Sequence, residues 1–331
     1  MSRAFPFLLA SLCTLLATTT HAAVSRTYVA SYGDDANTVY SCDFAHPCRT
    51  FQTAFSQTTT GGEILAVDGS GYGTIVIDRS VSVIANPGIF AGIGVFAGGT
   101  GVSIATAGVR VTLRGLTLNG QGGNYGIHMT NGTRLSVENC VIANFSSGIG
   151  IRVVAAAKVR IVDSLFRDND QAVFLSEGAT ASISGSRFLG YSVAVLVADG
   201  NAAATTTAFI DRSVASGSNY GFIAQSSVGG KTRLFVTESV ASDNGVVGIY
   251  VSAVGGGTSV ASVSNSLVSG SGSGLSSYGS GARLIASGNT VTQNATGLFQ
   301  GSSSTFGSDG TNTVRDNTAP FIGTITPVAR M

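Results

Sequence analysis

The sequence predicts an all-β solenoid of about ten stacked coils, and three observations predict it. A motif recurs in steps of 22–27 residues from Cys140 to Asn312. Within each copy the apolar residues alternate, as strands with one buried face require. Glycine supplies 45 of 331 residues while only 11% are charged, which suits short strands joined by tight turns and argues against disorder. Five prolines cannot sustain a collagen period.

In chain order, Arg3 precedes an apolar run from Phe5 to Ala17, and small polar residues lead to Thr20-His21-Ala22. A charged start, an apolar stretch too short to span a bilayer and a small-x-small site predict a signal peptide over 1–22. The mature chain is then expected to be soluble and secreted or periplasmic, with no membrane span. Losing Arg3 leaves 17 basic and 17 acidic residues, so no general attraction for nucleic acid is expected. Export permits a disulfide between Cys42 and Cys48, which flank a loop-like stretch. Cys140, within the repeat, is expected as a buried inert thiol. With His46 and His128 the only histidines after the leader, a zinc site lacks ligands.

The repeat is plain on alignment. Arg134-Leu-Ser-Val-Glu-Asn-Cys-Val-Ile-Ala-Asn144 matches Lys158-Val-Arg-Ile-Val-Asp-Ser-Leu-Phe-Arg-Asp168, and stretches from Arg233 and Arg283 follow the same pattern. Its small polar anchors are Cys140, Ser164, Ser186, Ser213, Ser239, Ser266, Asn289 and Asn312, expected to stack as a ladder at a corner. Eight residues after most anchors a glycine or alanine opens another strand: Gly148, Ala172, Ala194, Gly221, Gly274 and Gly297. One unit is too short to bury its own apolar face, so the units must stack.

Coils of this length, Asn/Ser ladders and Gly-apolar-x-apolar openings resemble the right-handed parallel β-helices of the pectin-lyase-like superfamily, in an exported branch without a named enzyme. The resemblance implies a right-handed β-helix over 71–320, an N-terminal cap segment over 23–70 and a C-terminal tail over 321–331. In the cap, Pro47-Cys-Arg-Thr-Phe-Gln-Thr-Ala-Phe55 is expected as one short amphipathic helix plugging the first coil, since an open end would wet the core. Superfamily members include lyases, hydrolases, epimerases and binding proteins, so the fold does not choose an activity. The Arg-x-Pro-x-x-Arg setting of pectate lyases is missing, as are the polygalacturonase motifs and the Asp-Pro-His-Glu signature of alginate epimerases.

Two polar patterns remain as candidate sites. Glu138 with Asp163, and Asp211 with Glu238, stand just before successive anchors, and carboxyls on neighbouring coils can fall within the ~5–9.5 Å of glycoside hydrolysis. Outward acids at strand ends are the plainer explanation. Six residues before the anchors come Arg110, Arg134 and Lys158 on three consecutive coils, a cation column suited to an extended polyanion. The expected function is therefore binding of extracellular carbohydrate, acidic polysaccharide above all, without catalysis. A polysaccharide lyase or glycoside hydrolase is the rival, and a surface adhesin or structural protein the third reading. No cofactor is expected, with calcium left open.

Overall fold

The computed structural model describes residues 23–329 apart from Tyr191 and Ala202; the signal peptide expected over 1–22 lies outside the described residues. Every coil follows one route. Arg134–Glu138 runs in a first sheet, Val141–Ala143 in a second and Ile149–Val154 in a third, and Lys158–Val162 then returns to the first. We call these sheets A, B and C; among the described residues they hold 13, 11 and 11 strands. Neighbouring strands pair in parallel throughout, as when Arg134–Glu138 lies between Arg110–Arg114 and Lys158–Val162.

The alternation seen in the sequence becomes rows of buried side chains. Leu135, Val159, Ala181, Ala208 and Leu234 are successive register partners in sheet A. In sheet B, Ile142, Phe166, Phe188 and Ala215 follow one another, and the rings of Phe166 and Phe188 stack at 4.9 Å. These rows merge into a single core along the solenoid. Each coil thus buries its apolar residues against the coils before and after it.

The corner between sheets A and B turns on one left-handed residue. Asn139, Asp163, Arg212, Glu238 and Asn265 occupy it with φ of 44–51°. The anchor follows at once. Ser164 Oγ accepts from the Cys140 amide, and Ser186, Ser213, Ser239 and Ser266 repeat that bond along the corner until Asn289 and Asn312 take it over. Buried amides are thereby satisfied where no sheet partner reaches them.

A second ladder runs along the corner between sheets B and C. Asn169 Oδ1 accepts from the Phe145 amide, Asn244 Oδ1 from Ser218, Asn294 Oδ1 from Ser271 and Asn317 Oδ1 from Asn294. Sequence comparison missed it because Phe, Asn and Ser share no obvious character. The strand-opening column of sheet C also shifts in one coil: Gly150, not Gly148, aligns with Ala172, because the preceding turn is longer by two residues. A Cβ on Gly150 would stand 2.7 Å from the Ala172 carbonyl oxygen, so the coils leave room only for a hydrogen there.

At the N-terminal end the helix spans Phe51–Gln57. It starts four residues later than the sequence suggests because Thr50 is an extended N-cap whose Oγ1 accepts from the Thr53 amide. Phe51, Ala54 and Phe55 are buried, and Tyr72 is buried against Phe51. Cys42 and Cys48 form a disulfide beside this helix. At the other end, Ala319–Ile322 and Ile325–Pro327 continue sheets C and A beyond residue 320.

Candidate functional site

The three cations singled out by spacing are direct register partners. Arg110 lies beside Arg134 and Arg134 beside Lys158, all exposed on the outer face of sheet A. Strand alternation puts them there, since Val111, Leu135 and Val159 next to each of them point inward. Adjacent strands lie about 4.8 Å apart, so like charges repeat at that interval. None of the three makes an ion pair among the described residues.

Further along the same strands stand Arg114 and Arg160, with Glu138 between them. Glu138 Oε2 accepts from Arg114 Nη2 at 2.9 Å, while Oε1 accepts from Arg160 Nη1 at 2.6 Å and from Ser136 Oγ at 2.8 Å. Burial pushes this carboxyl upward, but the Ser136 hydroxyl and the two guanidinium groups outweigh it and hold it below the usual range. Arg134, Ser136, Glu138, Lys158 and Arg160 line a cleft of about 350 Å³. The patch sets five cations around one neutralised acid.

A larger hollow, about 530 Å³, lies at the first coil beside Arg26 and Glu63. Those two side chains already pair with each other at 2.9 Å, and the remaining walls are backbone and small residues. It offers no unpaired charge.

The carboxylate candidates lie apart in register. Glu138 aligns with Val162 and Asp211 with Thr237, while Asp163 and Glu238 stand one residue further, in the left-handed corner. Asp211 pairs with Arg212 at 2.8 Å. Among the described residues no group of three or more His, Cys, Asp or Glu is placed to hold a metal ion, and no helix is long and apolar enough to cross a membrane. Cys140 is free and buried, and burial pushes its thiol up to about 11.

Sheet C carries a contrasting outer face that spacing did not reveal. His128, Arg152, Phe174, Leu196, Ile223 and Tyr250 are successive register partners. The Arg152 guanidinium sits 5.6 Å from the Tyr125 ring and 5.4 Å from Phe174, and its Nη1 lies 2.8 Å from His128 Nε2. Burial, then the Arg152 charge, pushes His128 below its ordinary value, which leaves the ring neutral to accept that bond. A groove of about 400 Å³ continues past Phe174 and Leu196 towards Gln225. The available signal was continuous apolarity in runs such as Val193–Val197, where both faces of a strand are covered.

Comparison with known proteins agrees with this architecture. Residues 56–211 match a family model described as a right handed beta helix region. No curated protein matches the chain. The crystal structure of pectate lyase Pel9A is similar over 86% of this chain and 77% of its own, at 15% identity and a TM-score of 0.50. The A-module of the Azotobacter vinelandii mannuronan C-5 epimerase AlgE6 covers 92% of this chain and 89% of its own, at 13% identity and a TM-score of 0.45. The parallel ladders and the polar corner make the chain a parallel β-helix, the fold it shares with that pectate lyase.

Proposed function

We propose that the protein is exported and binds an extracellular acidic polysaccharide on the outer face of sheet A, without turning it over. The cation column of Arg110, Arg134 and Lys158 carries this reading. Unpaired cations at a fixed interval attract a polyanion along its length, and guanidinium groups hold carboxylates through paired hydrogen bonds. A pectate lyase is built on the same fold, which supports a polysaccharide as ligand. The Cys42–Cys48 disulfide supports an oxidising exterior, in keeping with a leader at 1–22.

A hydrolytic reading needs a carboxyl that stays protonated to serve as the acid. Glu138 is held ionised by Arg114 and Arg160, which weighs against that role. The test is migration in native gels containing acidic or neutral polysaccharides. We expect acidic polymers alone to retard the protein, and the triple variant Arg110→Glu, Arg134→Glu, Lys158→Glu to lose at least about tenfold in affinity. Unchanged retardation of that variant would remove the column from consideration. A cleared zone around the band, abolished by Asp163→Asn or Glu238→Gln, would replace binding with catalysis.

A further inference from the structure

The outer face of sheet A continues past the cations into a part of different chemistry. Along its central outward row, Arg160 aligns with Ser182, Ser182 with Phe209 and Phe209 with Phe235. The two phenylalanine rings stack at 4.9 Å with 8° between their planes, and Phe209 is 46% exposed. The stacked pair makes an apolar platform with Phe209 as its exposed side. On the strand that carries Phe235, Lys231 and Arg233 are exposed beside it. Between platform and cations stands one strand, whose outward Thr180, Ser182 and Ser184 offer hydroxyl groups without bulk.

We propose that Phe209 and Phe235 form a second subsite of the same polysaccharide site, in which one sugar ring lies on the aromatic platform and its carboxylate meets Arg233 or Lys231. The inference rests on the binding reading above. The strip from Arg110 to Phe235 crosses six strands, five steps of ~4.8 Å or about 24 Å, so the polymer runs along the solenoid axis rather than around a coil. Three features favour a sugar over another occupant. The unpaired cation column continues in strict register through Thr180 and Thr207 to Arg233, two residues from Phe235 on the same strand; the platform lies in the outward row beside that column; and the hydroxyl-bearing strand joins the two parts without an apolar break. Aromatic faces receive the C–H side of a pyranose ring while charged groups read its edge, so the two parts recognise different portions of one chain.

The test is affinity against length, measured by calorimetry on mature protein with size-fractionated oligogalacturonates as probe. We expect short oligomers to bind through the cations alone. Oligomers long enough to span about 24 Å should gain about tenfold or more in affinity. The double variant Phe209→Ala, Phe235→Ala should abolish that gain and leave short-oligomer binding unchanged. Phe235→Trp, which widens the platform, should enlarge the gain, with thermal melts showing that each variant folds.

Equal loss for short and long oligomers in the double variant would overturn the subsite. So would affinity that is flat with length while the cation variant still weakens binding, a result that leaves the first reading standing. Failure of every oligomer to bind would remove both. Unchanged affinities with altered sedimentation of the double variant would make the platform a self-association surface.

Discussion

Sheets A and C are cut from the same repeat, yet their outer faces have opposite character. Both bury a strict apolar row inward, Leu135 and Val159 from sheet A and Ile127 and Ile151 from sheet C. Outward, sheet A leaves Arg110, Arg134 and Lys158 open to solvent, whereas sheet C encloses its central arginine. Arg152 is bounded by Tyr125, Phe174 and His128, so its charge is already engaged within the protein. Stacking constrains only the inward half of each strand. The outward half is free to vary, and a charge there counts for binding only when neighbouring coils leave it unpaired.

The largest effect tests whether the two faces are independent of the core they share. Phe188→Ala removes a buried ring stacked on Phe166 and should cost about 3–5 kcal/mol in denaturant unfolding. Polysaccharide affinity of the folded fraction should not change. A selective loss at sheet A would show that its face depends on deep packing.

A smaller effect sharpens the description of sheet A itself. Glu138→Gln removes the acid that neutralises Arg114 and Arg160, and should tighten acidic polysaccharide binding by less than about tenfold in native gels. The same substitution should alter stability in acid. Glu138 lies below its ordinary value in the folded chain, so its stabilisation is complete above the unfolded value of about 4.3 and is lost as pH falls through the lower folded value. Thermal midpoints measured from neutral pH downward should therefore decline less steeply in the variant. An identical decline would mean the ion pairs contribute nothing to folding.

The smallest effect concerns sheet C. Arg152→Met should let the His128 titration move upward in NMR, because the second of its two depressing influences is gone while burial remains. Affinity for acidic polysaccharide should stay unchanged. If it fell as far as in the sheet A charge variant, the contrast between the faces would collapse.

The solenoid was legible because its interior is periodic in two ways at once, every second residue along a strand and every 22–27 residues along the chain. The Ser/Asn ladder was legible because small polar residues recur there beside apolar strands. Register at the A–B corner was not. Glu138 stands two residues before its anchor and Asp163 one, and that single step moves a side chain from a strand end into a left-handed turn. The stacking of Phe209 on Phe235 was equally hidden, since 26 residues separate them and nothing nearby in sequence marks either one. Spacing located the cation column; only the pairing of strands revealed what lay beyond it.

The parallel ladders also decide what happens when the chain is cut. Gly255–Gly257 form a surface turn from sheet C back to sheet A, and the strand before it, Val247–Ala253, is bonded to Tyr220–Ser226 on one side and Ser273–Tyr278 on the other. A protease that opens this turn severs one covalent link and none of those lateral bonds. The nicked product would stay assembled as a single body, with the continuity of its ligand strip supplied by the stack and not by the thread.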